Sequence, residues 1–513
     1  MKLRTTSIAL LIGWVLATEH SIAQSPRTAD ASASPTEPDR IMRVGLPMWL
    51  RAHREQEERI IPPVYSNHLP KSLTWETLVG LDADGHPTPA LATRFESSPD
   101  LRRHVLHLRP GATFHDGSAC DSFAVKRYLE SFLVRDEDRF VGLCERIAAI
   151  ETPDARTVVL ELAEPYYPFP DLALMNPFGI VGGALEPPDG YPMIGSGPWR
   201  VVEFEPMRRT LLERHAGFDG VQPKLERFEL VALCGGDRDP VSTWALERGH
   251  VDVLIESWRP SIPRQQAMEL AESGGFQLVR GPGSLVSYLR VNPQRAPFSD
   301  VGLRERLAAS IDRQAIVTAA EHGFGTPCTT IFPPGVGGWP SSGASPELGS
   351  EVIDERVTAE ALILSTDPAQ AKLALELQRQ LRPAGIDLTI TMVSPKELAE
   401  RTRAGSFDLQ VGRSWGAPYD PSITLHGRFR SRGDRAQPWS RPELDEWILE
   451  SLALPPGDER AAVYARIQSF LDEQRVLIPL YVPERIALLG PQAVGLRLGE
   501  LIYGIDLSEL TWR

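Results

Sequence analysis

Residues 407–429 read FDLQVGRSWGAPYDPSITLHGRF. A strand-like run, Phe407 to Val411, feeds a corner at Arg413, Ser414 and Trp415. Gly416, Pro418 and Pro421 then stop the chain from continuing as a strand or entering a regular helix, so an irregular backbone is expected. That backbone carries two flat aromatics, Trp415 and Tyr419, and a planar cation, Arg413. In isolation the stretch is equally a packed turn after a strand. Its surroundings favour a ligand-facing loop.

On the N-terminal side, Ala359–Leu364 has the pattern of a strand, Pro368–Leu381 of a helix, Ile386–Val393 of a strand and Pro395–Ala404 of a helix. Alternation of this kind predicts an α/β lobe with a partly parallel sheet. On the C-terminal side, Glu443–Leu452 and Asp458–Glu473 are amphipathic helices, and Val476–Val482 is a short apolar strand placed to return the chain to a first lobe. Further upstream, Asp300 caps a helix Val301–Ser310 and Asp312 starts another, Arg313–Ala320. The extended run Gly283–Asn292 is long enough to cross between lobes. Two crossings are what a hinge needs.

The first half begins with a strand near Ile41, then a loop and an amphipathic helix over Tyr65–Val79 with Leu73, Trp75 and Leu78 facing inward. Strands follow at Arg103–Arg109, Thr157–Leu162, Arg227–Leu233 and Gly249–Ile255, with helices at Asp121–Leu133 and Pro240–Arg248. A Gly-x-Gly-Pro turn at 195–198 feeds another strand. It lacks the third glycine, the following helix and the acidic residue of a dinucleotide fingerprint.

The chain has 513 residues, 42% of them apolar and 24% charged, with a formal net charge of -14. This is enough for two or more domains, each with its own core. No basic tract interleaved with aromatics occurs, which argues against nucleic acid as a partner. Lys2 and Arg4 precede the apolar run Ile8–Ala17, and Ser21-Ile22-Ala23 offers small residues for cleavage, so residues 1–23 read as a signal peptide and the product as periplasmic. Residues 24–40, rich in Ser, Pro, Ala and Asp, read as a disordered leader. Export permits disulfides. Of the four cysteines, Cys120 and Cys144 can bridge, with Cys234 and Cys328 as buried thiols; no C-x-x-C occurs and the spacing matches no zinc pattern.

Enzymatic readings find little support. His115-Asp116 precedes Gly117 between a strand and a helix, where Asp-Gly signals a turn. Gly195-Ser196-Gly197 lies in a turn and is no nucleophile elbow, and no His-Glu-x-x-His is present. No cofactor is expected.

Several blocks occur in an order that carries more weight than any one of them. They are Leu91-Ala92-Thr93 with Leu108-Arg-Pro-Gly-Ala-Thr-Phe-His-Asp-Gly117; Ile194-Gly-Ser-Gly-Pro-Trp199; Glu247-Arg-Gly-His-Val-Asp252; and Pro297 to Arg313. From about residue 41 to about 490 the chain resembles the large extracytoplasmic solute-binding proteins of peptide/nickel/opine ABC importers. Arg413 to Pro421 and Tyr166-Tyr-Pro-Phe169 look most like the nickel- and metallophore-binding branch. The resemblance implies a two-lobed α/β binding-protein fold with mixed sheets, a hinge and an extra subdomain in the first lobe. The expected organisation is lobe 1 over 41–288, lobe 2 over 289–481, and 482–513 returning to lobe 1. The implied function is capture of a small solute, such as a metal chelate, and delivery to a membrane permease by a monomer. An oligopeptide or dipeptide is the alternative.

The resemblance also suggests site residues. Trp415, Tyr419 and Tyr65 would supply flat contact area. Arg413, Arg428 or Arg430 would meet carboxylates, and Asn176 stands where the nickel branch has an arginine. The carboxylate that holds a peptide's amino terminus in peptide-type members would fall at 417–419, here Ala417, Pro418 and Tyr419, with Asp420 next door. The nickel branch has a histidine in the loop that follows. Residues 428–435 hold none, which leaves His426 and His68 as the metal-ligand candidates.

Overall fold

The computed structural model describes residues 40–49, 73–82, 86–133, 142–173, 179–180, 182, 194–205, 208–235, 240–256, 260–334, 336–343, 356–414, 420–431, 441–499 and 505–513. Within these, the strand Met42–Trp49 has Met42, Val44 and Leu46 buried at period two. It forms the middle of a seven-stranded sheet, parallel to Arg227–Gly235 on one side and Val253–Ile255 on the other. The hairpin Trp199–Glu205 and Arg209–Arg214 extends one edge, and Arg485–Leu489 and Gln277–Gly281 extend the other, all antiparallel.

A second, six-stranded sheet holds Gly325–Pro327, Leu477–Pro483, Ser287–Val291, Leu409–Arg413, Val357–Leu364 and Ile386–Val393 in that order. Val357–Leu364 is parallel to both of its neighbours, as the strand–helix alternation predicts. Asp300, Asp312 and Ser394 each cap a following helix with a side-chain oxygen. The first two of those helices bury Leu307, Ile316 and Val317, with Leu373 and Leu377 of helix Pro368–Leu381, in a core shared with this sheet.

A third sheet, antiparallel, orders Ala92–Ser97, Arg103–Leu108, Thr157–Leu162 and Ile147–Asp154. Helix Ser122–Leu133, capped by Asp121 on the amide of Ala124, packs Val125 and Leu129 into its core. This subdomain hangs from the first sheet at a tight contact. A Cβ on Gly195 would stand 1.9 Å from the carbonyl oxygen of Thr74, so only glycine fits.

One local expectation is corrected. Residues 76–81 form short strands, not a helix: Glu76–Thr77 pairs with Gly179–Ile180, and Val79–Leu81 pairs with Pro87–Pro89. Leu73, Trp75 and Leu78 are buried nevertheless, because apolar residues at every second or third position suit a bent strand as well as a helix. Cys120, Cys144 and Cys328 are not disulfide-bonded, and the Cys234 side chain lies outside the described residues. Burial pushes the Cys120 thiol up to about 12, so it behaves as a core group.

The chain passes from the first large sheet to the second through residues 282–286 and returns at Glu484. The two crossings touch: a Cβ on Gly283 would lie 1.8 Å from the Pro483 carbonyl oxygen. Beside them sits a dry ion cluster. Arg264 Nη1 donates to Glu256 Oε1 at 2.7 Å and Arg264 Nη2 donates to the Glu484 carbonyl at 2.7 Å. Arg264 Nε is 3.6 Å from Glu321 of the second lobe, and all three side chains are 0% exposed. Glu256 also accepts from the amides of Ser261, Ile262 and Ile486. Phe324, from the second lobe, is buried among Leu254, Ile262, Ile486 and Leu488 of the first, with the Arg264 and Arg280 guanidinium carbons 5.9 and 4.5 Å from its ring centroid.

Two outcomes follow for stability. Gly283→Ala should lower unfolding free energy by about 1–3 kcal/mol in chemical denaturation, because backbone meets the new methyl and the crossings must separate. Glu256→Ala should cost about 3–5 kcal/mol, because it strips Arg264 of its main partner and three buried amides of their acceptor. Unchanged denaturation midpoints in either variant would contradict this account of the junction.

Candidate functional site

The strand Leu409–Arg413 runs antiparallel to Ser287–Val291, which places Arg413 opposite Ser287, the first strand residue after the crossing. The next residue, Ser414, is fastened to the crossing itself. Its amide donates to the Val286 carbonyl at 2.8 Å, and its hydroxyl accepts from the Val286 amide at 2.8 Å. Residues 415–419, with Trp415 and Tyr419, lie outside the described residues, as do Tyr65, His68, Asn176 and the side chain of Arg428.

The description resumes at Asp420, which is 3% exposed. Its Oδ1 caps the following turn, accepting from the Ser422 amide at 2.8 Å and the Ser422 hydroxyl at 2.5 Å. Arg460 Nη2 and the Tyr464 hydroxyl donate to the same oxygen at 3.1 Å each, and Arg460 Nη1 reaches Oδ2 at 3.0 Å. The Arg460 guanidinium carbon lies 5.5 Å from the Tyr464 ring centroid and 5.8 Å from that of Tyr167. Burial opposes the Arg460 charge, but the Asp420 carboxylate outweighs it and the pKa is raised. Burial pushes the Tyr464 hydroxyl well up and that of Tyr167 to about 12. The Asp420 carboxylate is thus committed to internal partners.

The sequence reading missed Arg460 and Tyr464. They are four apart on helix Asp458–Gln474 and share a face with Val463, Ile467 and Leu471, all buried. An arginine inside that apolar stripe is the signal that marks a buried pair.

The other candidates fall into two places. Arg413 is paired with Asp367, the cap of helix Pro368–Leu381, at 3.0 Å, with side-chain exposures of 12% and 4%. His426 lies within the π-helical turn Leu425–Phe429, and Arg430 caps its end. His426 is 0% exposed, and its Nε2 is 3.4 Å from Glu145 Oε2; Arg430 Nη1 is 4.0 Å from the same oxygen. Glu145 belongs to the four-stranded subdomain, and nothing in its local sequence marks it.

This contact is part of a broader meeting of the two lobes. Ile423 and Leu452 of the second lobe complete the subdomain core with Tyr166, Phe169 and Leu172. The Tyr167 amide donates to the Leu452 carbonyl at 2.9 Å. Behind it, the Tyr166 hydroxyl and the Leu143 amide donate to Asp171 Oδ2 at 2.6 and 2.9 Å. Burial pushes the Asp171 carboxyl up to about 7, against those two hydrogen bonds.

The described residues show little catalytic or metal-binding machinery. Among them, no group of three or more His, Cys, Asp or Glu is placed to hold a metal ion. His115 Nε2 and His215 Nδ1 both approach the Gly197 carbonyl, at 3.1 and 3.3 Å, and burial brings His115 down to about 4. Asp116 accepts from the Ser118 amide and hydroxyl, as an Asx turn does. What the described arrangement does is fasten Ser414 to the interlobe crossing and hold Asp420 on helices that reach the place where the lobes meet.

Comparison with known proteins agrees with that arrangement. The profile of bacterial extracellular solute-binding proteins, family 5, middle region, matches residues 86–435. The chain is 23% identical to the nickel-binding periplasmic protein of Escherichia coli K12, over 86% of this chain and 88% of that one. It is 25% identical to the glutathione-binding protein GsiB of Salmonella paratyphi A, over 82% and 85%. Among solved structures, NikA from Brucella suis in complex with Fe(III)-EDTA superposes with a TM-score of 0.79 at 21% identity, covering 93% of this chain and 100% of that one. With the family profile spanning most of the chain and the two-lobed α/β architecture in common, the protein belongs to the bacterial extracellular solute-binding proteins of family 5.

Proposed function

We propose that this protein is the periplasmic solute-binding component of an ABC importer, exported by a cleaved signal peptide. It captures a small anionic solute, such as a metal–chelator complex, in the cleft between its lobes and presents the closed form to a membrane permease. One observation carries the reading. Residues 415–419 are strung between Ser414, hydrogen-bonded to the interlobe crossing, and Asp420, locked to helices that touch the opposite lobe. A solute held there sees both lobes, and closure then buries both of its faces.

Within that span Trp415 and Tyr419 supply flat apolar area at low entropic cost. Arg413 is already matched by Asp367, so carboxylate recognition falls to Arg428 and Arg430, whose planar guanidinium groups suit bidentate contacts. The metal enters with its own chelator. The relatives named for nickel and for glutathione, and the NikA structure with Fe(III)-EDTA, support a solute rich in carboxylates. The protein binds and releases; it is not an enzyme, and it works as a monomer.

A peptide remains the alternative, favoured by the glutathione-binding relative. Recognition of a peptide's amino terminus through Asp420 is disfavoured, since that carboxylate already answers Arg460, Tyr464 and Ser422. A buried ammonium without a carboxylate is costly.

Native mass spectrometry of protein exported to a periplasm should show a stoichiometric adduct containing a transition metal. Added Fe(III)-EDTA at a hundred times its dissociation constant should stabilise the fold by about 2.7 kcal/mol in thermal shift. Trp415→Ala should weaken binding about tenfold or more with an unchanged apo melting temperature. Adducts only at peptide masses would shift the solute class. In a paired assay, free and N-acetylated tripeptides should shift the melting temperature equally; a clear preference for the free amine would restore an amino-terminal anchor.

A further inference from the structure

We infer that Glu145 is a positioning residue for lobe closure: from the four-stranded subdomain it reaches His426 and Arg430 at the turn Leu425–Phe429, and so latches the two lobes together at a contact separate from the backbone crossings. The inference rests on the solute-binding reading above.

The two sides of this contact belong to different bodies. Glu145 lies in the turn 142–146, joined directly to the strand Ile147–Asp154 of the subdomain. His426 and Arg430 lie on a turn whose Leu425 is packed with Leu444, Ile448, Tyr464 and Leu477, the last in the six-stranded sheet. Among the described residues, the chain crosses between the two large sheets at 282–286 and at Glu484. Any rotation about those crossings moves Glu145 against His426 and leaves both halves otherwise intact.

The chemistry is that of a latch with one acid and two bases. His426 is wholly buried and its Nε2 is 3.4 Å from Glu145 Oε2; Arg430 stands 4.0 Å from the same oxygen. Arg146, 3.8 Å from Glu145, and Glu164, 3.6 Å from Arg146, are the other charges facing it from the subdomain. Opening would return Glu145, His426 and Arg430 to water and dissolve their mutual attraction. The Glu145–His426 pair therefore favours the closed arrangement without itself touching solute, and it holds the turn that ends at Arg430 against the subdomain. Apolar contact at Ile423 and Leu452 supplies adhesion, and the charges add direction and register.

The same interface contains a built-in reporter. The Tyr167 amide donates to the Leu452 carbonyl across it, so hydrogen exchange at Tyr167 reads closure in the ligand-free protein. In full-length mature protein, Glu145→Gln should speed exchange of peptides containing Tyr167 by about three- to tenfold. Exchange in the strand Arg103–Leu108 and in helix Asp458–Gln474 should be unchanged. Glu145→Asp should restore part of the protection, and about 1 M salt should speed Tyr167 exchange in the wild type but not in Glu145→Gln. Unaltered Tyr167 exchange in Glu145→Gln, or equal acceleration throughout the subdomain, would overturn the proposal. No solute enters the experiment, so its failure would leave the reading of solute class untouched, and failure to find a metal chelate would leave the latch untouched.

Discussion

The two backbone crossings meet without room for a methyl group between them, and much of the molecule's behaviour depends on that contact. Gly283 lies against the Pro483 carbonyl, while Arg264 ties Glu256 of the first lobe to the Glu484 backbone and approaches Glu321 of the second. Buried charge of this kind stabilises little by comparison with well-packed apolar groups, but it is exacting about geometry. Phe324, inserted from one lobe into the core of the other between two guanidinium groups, gives the junction a fixed point. Lobe closure, as proposed above, would then be a rotation about this junction.

The contact around Glu145 is built differently. There the lobes meet through a few apolar residues, one backbone hydrogen bond and partly exposed charges around Glu145. Such contacts open and close at small cost compared with the dry cluster at the junction. The two residues that bracket the interval 415–419 sit at the two ends of this contrast. Ser414 is bonded to the junction, and Asp420 is bonded to helices that reach the separable interface.

Much of this organisation is legible in the chain because it rests on local rules. The alternation over 357–404 reports a parallel α/β unit, and Asp300, Asp312 and Ser394 announce their helices as caps. The irregular backbone expected after Arg413 falls on residues 415–419, outside the described residues. What was not legible depends on partners far apart in sequence. Asp420 reads as a neighbour to a possible peptide anchor until Arg460, forty residues on, is seen to occupy it. Arg413 reads as an available cation until Asp367 is brought beside it. The strands at 76–81 look helical because their pairing partners, Gly179–Ile180 and Pro87–Pro89, supply the hydrogen bonds that local propensity does not foresee.

The double tether of residues 415–419 bears on how such a protein diversifies. Both anchors are made by groups outside the span: a serine bonded to backbone on one side, a neutralised carboxylate on the other. Neither anchor draws on the identity of the five residues between them. On the solute-binding reading proposed above, a lineage or a designer could exchange the residues of that interval for new cargo and leave both anchors in place.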